Sequence, residues 1–121
     1  MPMRLSWLLA ALAFALLVSY IQHEALANFW YWQYPWLDTL VHFLGGLAVA
    51  SFCIALLDRF RARVFLAAML AIAVGWEVFE LIINAEREAN FAFDTSLDLL
   101  MDALGMSLAY VTARFTIWRS A

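Results

Sequence analysis

The chain has 121 residues, a formal net charge of −3, and a composition that is 67% hydrophobic and 14% charged. That balance excludes an ordinary soluble domain, whose surface needs more polar residues than these. A net charge this small, with no basic run, also argues against a nucleic-acid partner. All seven basic residues are Arg, and the single cysteine, Cys53, has no partner for an internal disulfide.

The first apolar stretch, Leu5 to Ile21, carries no charge. Ala25-Leu26-Ala27 follows it in the manner of a signal-peptide cleavage site. The apolar run is longer than the 7–15 residues usual in such a peptide, so a retained helix is expected. The segment Gln22 to Pro35 is crowded with Phe29, Trp30, Tyr31, Trp32 and Tyr34. Rings of this kind favour the headgroup layer, as an interfacial belt or as a lid over a site. Thr39 to Leu57 carries only His42, and Asp58 to Arg63 is a tight charged turn. Val64 to Ile83 carries Glu77 and Glu80, and Asn84 to Ser96 reads as a polar loop. Leu97 to Trp118 is apolar apart from Asp98, Asp102 and Arg114.

Each stretch approaches the ~20 residues needed to cross a bilayer, and in lipid a lone segment must be helical to satisfy its backbone. The expected fold is therefore all-α: one transmembrane domain over residues 1–121, with helices at about 4–22, 37–57, 62–84 and 96–118 in an up-down bundle. Arg4, Arg59, Arg61, Arg63, Arg114 and Arg119 then share one side, and only Arg87 lies on the other. The positive-inside rule puts both termini in the cytoplasm of a bacterial inner-membrane protein.

On that topology the acids gather in the outer half. At about 1.5 Å per residue, His42 lies ~7 Å below the start of its helix and Asp102 ~9 Å below the start of its own. Glu80 and Glu77 lie ~6 Å and ~10 Å below the end of theirs. Asp38 and His42 are spaced i,i+4, Glu77 and Glu80 i,i+3, and Asp94, Asp98 and Asp102 form an i,i+4,i+8 ladder. Each set shares a helix face. Gly45, Gly46 and Gly105 continue two of those faces, and small residues there let helices approach closely.

Asp38 and Asp94 also suit helix capping. Glu77, Glu80 and Asp102 do not, because the glutamates stand near a helix C-terminus and Asp102 is past its first turn. Deep carboxylates must be protonated, hydrogen-bonded or bound to a cation. One His among several carboxylates suits a divalent ion: Mg, Mn, Zn, Fe or Ca. The expected metal donors are His42, Glu77, Glu80, Asp98 and Asp102, with Asp38 and Asp94 as additional candidates. Glu77, Glu80 and Asp98 are the expected catalytic groups. The ferritin-like Glu-x-x-His pattern is missing, because Glu80 stands where its His would be.

Three segments together, Asp38-Thr-Leu-Val-His42-Phe-Leu-Gly-Gly, Trp76-Glu77-Val-Phe-Glu80 and Asp94-Thr-Ser-Leu-Asp98-Leu-Leu-Met-Asp102-Ala-Leu-Gly105, carry a resemblance. In order and spacing they are similar to the VanZ-like and DUF2238-like small bacterial membrane proteins, over Asp38 to about Tyr110. One departure is Asp94, where VanZ-type chains usually have Arg. The resemblance implies a role at the outer envelope and names no chemistry. The reading that follows is a metal-dependent membrane hydrolase or transferase acting on a lipid-linked or envelope phosphate or ester. Its alternatives are a proton- or cation-coupled transporter or channel working as a homo-oligomer, and a non-catalytic accessory subunit. The inner halves of the helices are nearly all Ala, Leu, Val and Ile, which favours a one-sided pocket over a conduit.

Overall fold

A computed structural model describes residues 2–57, 61–82 and 91–119. For residues 2–4, 80–81 and 91–95 it describes the helical backbone alone. The described residues form helices α1 (Pro2–Ala27), α2 (Trp30–Gln33), α3 (Trp36–Leu56), α4 (Ala62–Ile82) and α5 (Phe91–Arg114), without strands.

Among the described residues, three segments are long and apolar enough to cross a membrane: Leu5–Ala27, Trp36–Leu56 and Ala62–Phe79. The fourth expected span, α5, has the length at 24 residues, but its acids lower its apolarity below that of the other three. It also starts at Phe91, earlier than the Ser96 expected, so Asp94 stands inside the first turn rather than before it. The rest of the expected Asn84–Ser96 loop lies outside the described residues.

α1 runs past Ile21 to Ala27, so the Ala25-Leu26-Ala27 segment is its last helical turn and Ala25 is fully buried. The Asn28 side chain bonds back to the Glu24 carbonyl at 2.9 Å. Phe29 then adopts a left-handed backbone, φ 57°, which reverses the chain as glycine commonly does past a helix end. The hydroxyl of Tyr31 donates to Oε1 of Gln22, which ties α2 to the last turns of α1.

α3 is the central element. It packs against α5 on one side and α1 on the other, whereas α4 touches α3 and α5 only lightly. α3 and α5 lie parallel: His42 meets Asp98 and Asp102, and further along Gly46 and Gly105 meet the backbone of the opposite helix. A Cβ on Gly46 would stand 2.5 Å from the Asp102 carbonyl oxygen, and one on Gly105 would strike the Phe43 carbonyl. Small residues permit this approach, and packing across it holds helices together in lipid.

The apolar core lies toward the opposite end. Ile54, Phe65, Met69, Ala113 and Trp118 are buried there. Phe65 stacks at a tilt on Tyr110, with ring centroids 5.5 Å apart, and meets Trp118 edge-on at 6.3 Å. The Arg114 guanidinium donates to the Trp118 carbonyl at 2.7 Å, and the Trp118 N–H to the Ala113 carbonyl at 2.9 Å. These two bonds end α5 and fold Trp118 back over the core.

Gly105→Val should lower the stability of the detergent-solubilised protein by about 3 kcal/mol, because the atom met is backbone and cannot rotate away. Gly75→Ala, inside α4 where a Cβ meets nothing within 4 Å, should instead raise it by about 0.5–1 kcal/mol. Thermal unfolding followed by circular dichroism measures both.

Candidate metal centre

α3 begins with Pro35 at its N-cap and Trp36 as its first helical residue. A proline is tolerated there because the N–H it lacks would have no helical partner. Asp38 is therefore not the cap. It lies in the first turn, where the helix dipole favours a carboxylate. Its side chain points along the helix to His42, with Oδ1 3.6 Å from Nε2.

The close α3–α5 contact brings the second helix to the same ring. Asp98 Oδ2 lies 3.3 Å from His42 Nε2, and Asp102 Oδ1 lies 3.2 Å from His42 Nδ1. Asp98 is 6% exposed. One imidazole thus separates three carboxylates: Asp38 and Asp98 on one ring nitrogen, Asp102 on the other.

The donor geometry fits a metal ion on the Nε2 side. Ligand atoms of Asp38, His42 and Asp98 all lie within 4.8 Å of one another. Tetrahedral donors bound at about 2.0–2.2 Å stand about 3.4 Å apart. The two separations from Nε2, 3.3 and 3.6 Å, bracket that value. Asp102 lies outside this group. It occupies the place of the outer carboxylate that takes the N–H of a metal-bound histidine, fixing its tautomer and orientation. In the alternative arrangement of the same atoms, a doubly protonated ring donates to Asp98 and Asp102 at once.

Glu77, expected among the donors, lies outside the group. It sits half-buried on the lightly packed α4, with Oε1 shielded from solvent. The side chains of Glu80 and Asp94 are outside the described residues.

A groove of about 420 Å³ opens beside the ring. Asp38, His42 and Asp102 form its polar end, with Gln22 and Tyr31 facing them and Val49, Ile72 and Met106 on its apolar wall. Burial and the charge of Asp38 push the Tyr31 hydroxyl above its ordinary value, so it stays protonated and able to donate. The aromatic segment is therefore divided. Tyr31 lines the site, while Trp32 (82% exposed), Phe29 and Trp36 face outward. Sequence reasoning missed Gln22 and Tyr31 as wall residues; for Tyr31 the aromatic run was the only signal.

Comparisons with protein-family models, curated proteins and solved structures gave no match to this chain.

His42→Leu should destabilise the metal-free protein by about 3–5 kcal/mol, the cost of leaving buried carboxylates without their compensating partner. His42→Gln, whose amide keeps a donor for one of the carboxylates, should cost less. Chemical unfolding in detergent without added metal makes the comparison.

Proposed function

We propose that this is a multi-pass protein of the bacterial inner membrane whose outward-facing site binds a divalent metal ion and acts on a lipid-linked or envelope phosphate or ester. In this reading α1, α3, α4 and α5 all cross the bilayer, with both termini in the cytoplasm. The reading matches the order and spacing of motifs in VanZ-like proteins. The observation that carries it is the Asp38–His42–Asp98 group, whose three ligand atoms come from two helices and lie within 4.8 Å.

Asp98 and Asp102 fit a spanning α5 because they do not face lipid. Asp98 is buried, and Asp102 is turned to His42. Intramembrane acids of this kind face the interior of a bundle and mark functional sites. The opposite end is filled by Ile54, Phe65 and Trp118, which supports a one-sided pocket rather than a path across the membrane.

In the proposed site Asp38, Asp98 and His42 Nε2 are the donors. A divalent ion held there would supply charge stabilisation to a phosphoryl or acyl oxygen and would acidify a water. Asp102 accepts the Nδ1 proton and so keeps the Nε2 lone pair directed at Asp38 and Asp98. Tyr31, whose hydroxyl proton is held on Gln22, offers its oxygen as an acceptor to the substrate's polar group.

Elemental analysis and calorimetric titration with Zn²⁺ and Mn²⁺ should find one ion per chain. Asp98→Ala should abolish binding. Asp102→Asn should weaken it by about 10–100-fold, the usual effect of losing an outer carboxylate. Glu77→Gln should leave it within about twofold. A wild-type preparation that stays metal-free through titration with Zn²⁺, Mn²⁺, Fe²⁺, Mg²⁺ and Ca²⁺ sinks the metal reading.

A further inference from the structure

We infer that the groove beside His42 is the head end of a longer cleft that takes one phosphatidylethanolamine molecule from the bilayer, its amine toward Asp38 and one acyl chain between α4 and α5. The inference rests on the proposed placement of the site at the outer face of a membrane.

A second cavity, of about 320 Å³, lies between α4 and α5. It shares Ala73 and Met106 with the groove that holds His42, so the two adjoin at those side chains. Taken together they change character along their length. At one end stand Asp38, His42 and Asp102; from Ala73 onward the walls are Leu70, Met69, Leu99 and Phe65. A polar end joined to a long apolar one matches an amphiphile and not a water-soluble ester.

Length and access fit a bilayer lipid. From Trp76 to Phe65 α4 descends 11 residues, or about 16 Å. One leaflet of the hydrocarbon core is about 15 Å deep. Leu66, Leu70 and Val74 on the rim are themselves exposed, so the cleft opens sideways along α4. The light packing of α4 against its neighbours gives a chain room to enter.

Charge selects the headgroup. Three carboxylates face one imidazole. The described arginines near these helices' other ends are remote; Arg114 lies 16 residues, about 24 Å, beyond Asp98 along α5. Without a bound ion, an anionic lipid meets net repulsion here. A zwitterionic lipid with an ammonium brings its own cation, and Asp38, whose side chain is 42% exposed, stands at the rim to receive it.

The full chain in mild detergent, incubated with equal amounts of phosphatidylethanolamine and phosphatidylglycerol, is read by native mass spectrometry. The ethanolamine lipid should be retained about fivefold over the glycerol lipid, the size of a partly exposed ion pair. Asp38→Asn should bring that ratio toward one. Ala73→Phe, which fills the junction, and Ala103→Phe, which fills the lower cleft, should each cut the lipid adduct by about tenfold. Gel filtration and circular dichroism identify a variant that fails to fold, and the other then decides. Equal retention of the two lipids overturns the inference. So does retention unchanged in a folded filled variant, or a lipid-free dimer that Ala73→Phe disperses. Metal titration of the same sample separates the readings. Metal bound without lipid preference removes the cleft and leaves the metal site; lipid preference without metal does the reverse.

Discussion

The backbone contact between α3 and α5 at Gly46 and Gly105 is the constraint on which the rest depends. A helix pair with side chains between its backbones usually keeps its axes 8–10 Å apart. Two glycines facing the opposite backbone remove that spacer. One turn before Gly46 the approach places His42 between Asp98 and Asp102. Beyond it, small residues such as Ala50, Ala109 and Ala113 are buried along the same pair. The polar site and the apolar core are therefore two ends of one seam. α4 must return between the end of α3 and the start of α5, yet it is kept out of the seam, and this leaves the cleft along its face.

The electrostatics of the site follow from that seam. A carboxylate moved out of water loses solvation that a partner must replace. Asp98 and Asp102 are on one face of α5 and would repel each other across an empty gap. The imidazole fills the gap and has two nitrogens pointing in opposite directions, so one side chain reaches both. Asp38 makes the same nitrogen serve two acids. That surplus of carboxylate on the Nε2 side distinguishes this cluster from a balanced structural ion pair. It is the physical basis for proposing a divalent ion there.

The aromatic segment belongs to the same arrangement. Its left-handed turn at Phe29 directs the short helix α2 back over the end of α1, and the Tyr31–Gln22 hydrogen bond holds it. One ring closes the polar end of the groove while the others stay outside. An interfacial belt and a wall of the site are thus two faces of one segment.

Much of this was legible in the sequence. The four-residue spacing of Asp38 with His42, and of Asp98 with Asp102, decided which side chains share a helix face, because helical geometry is local. Apolar length marked four candidate spans, and three of the described helices are long and apolar enough to cross a membrane. The sequence was equally able to list Glu77 as a donor, since its depth and face were suitable. Only the tertiary structure separated it from Asp38 and Asp98, because pairing of helices depends on which surfaces allow close approach. Glycines on α3 and α5 bring those two together, while α4, whose Gly75 meets nothing within 4 Å, touches both only lightly. Spacing along the chain decided which groups could meet at all; the missing side chains at Gly46 and Gly105 decided which of them do.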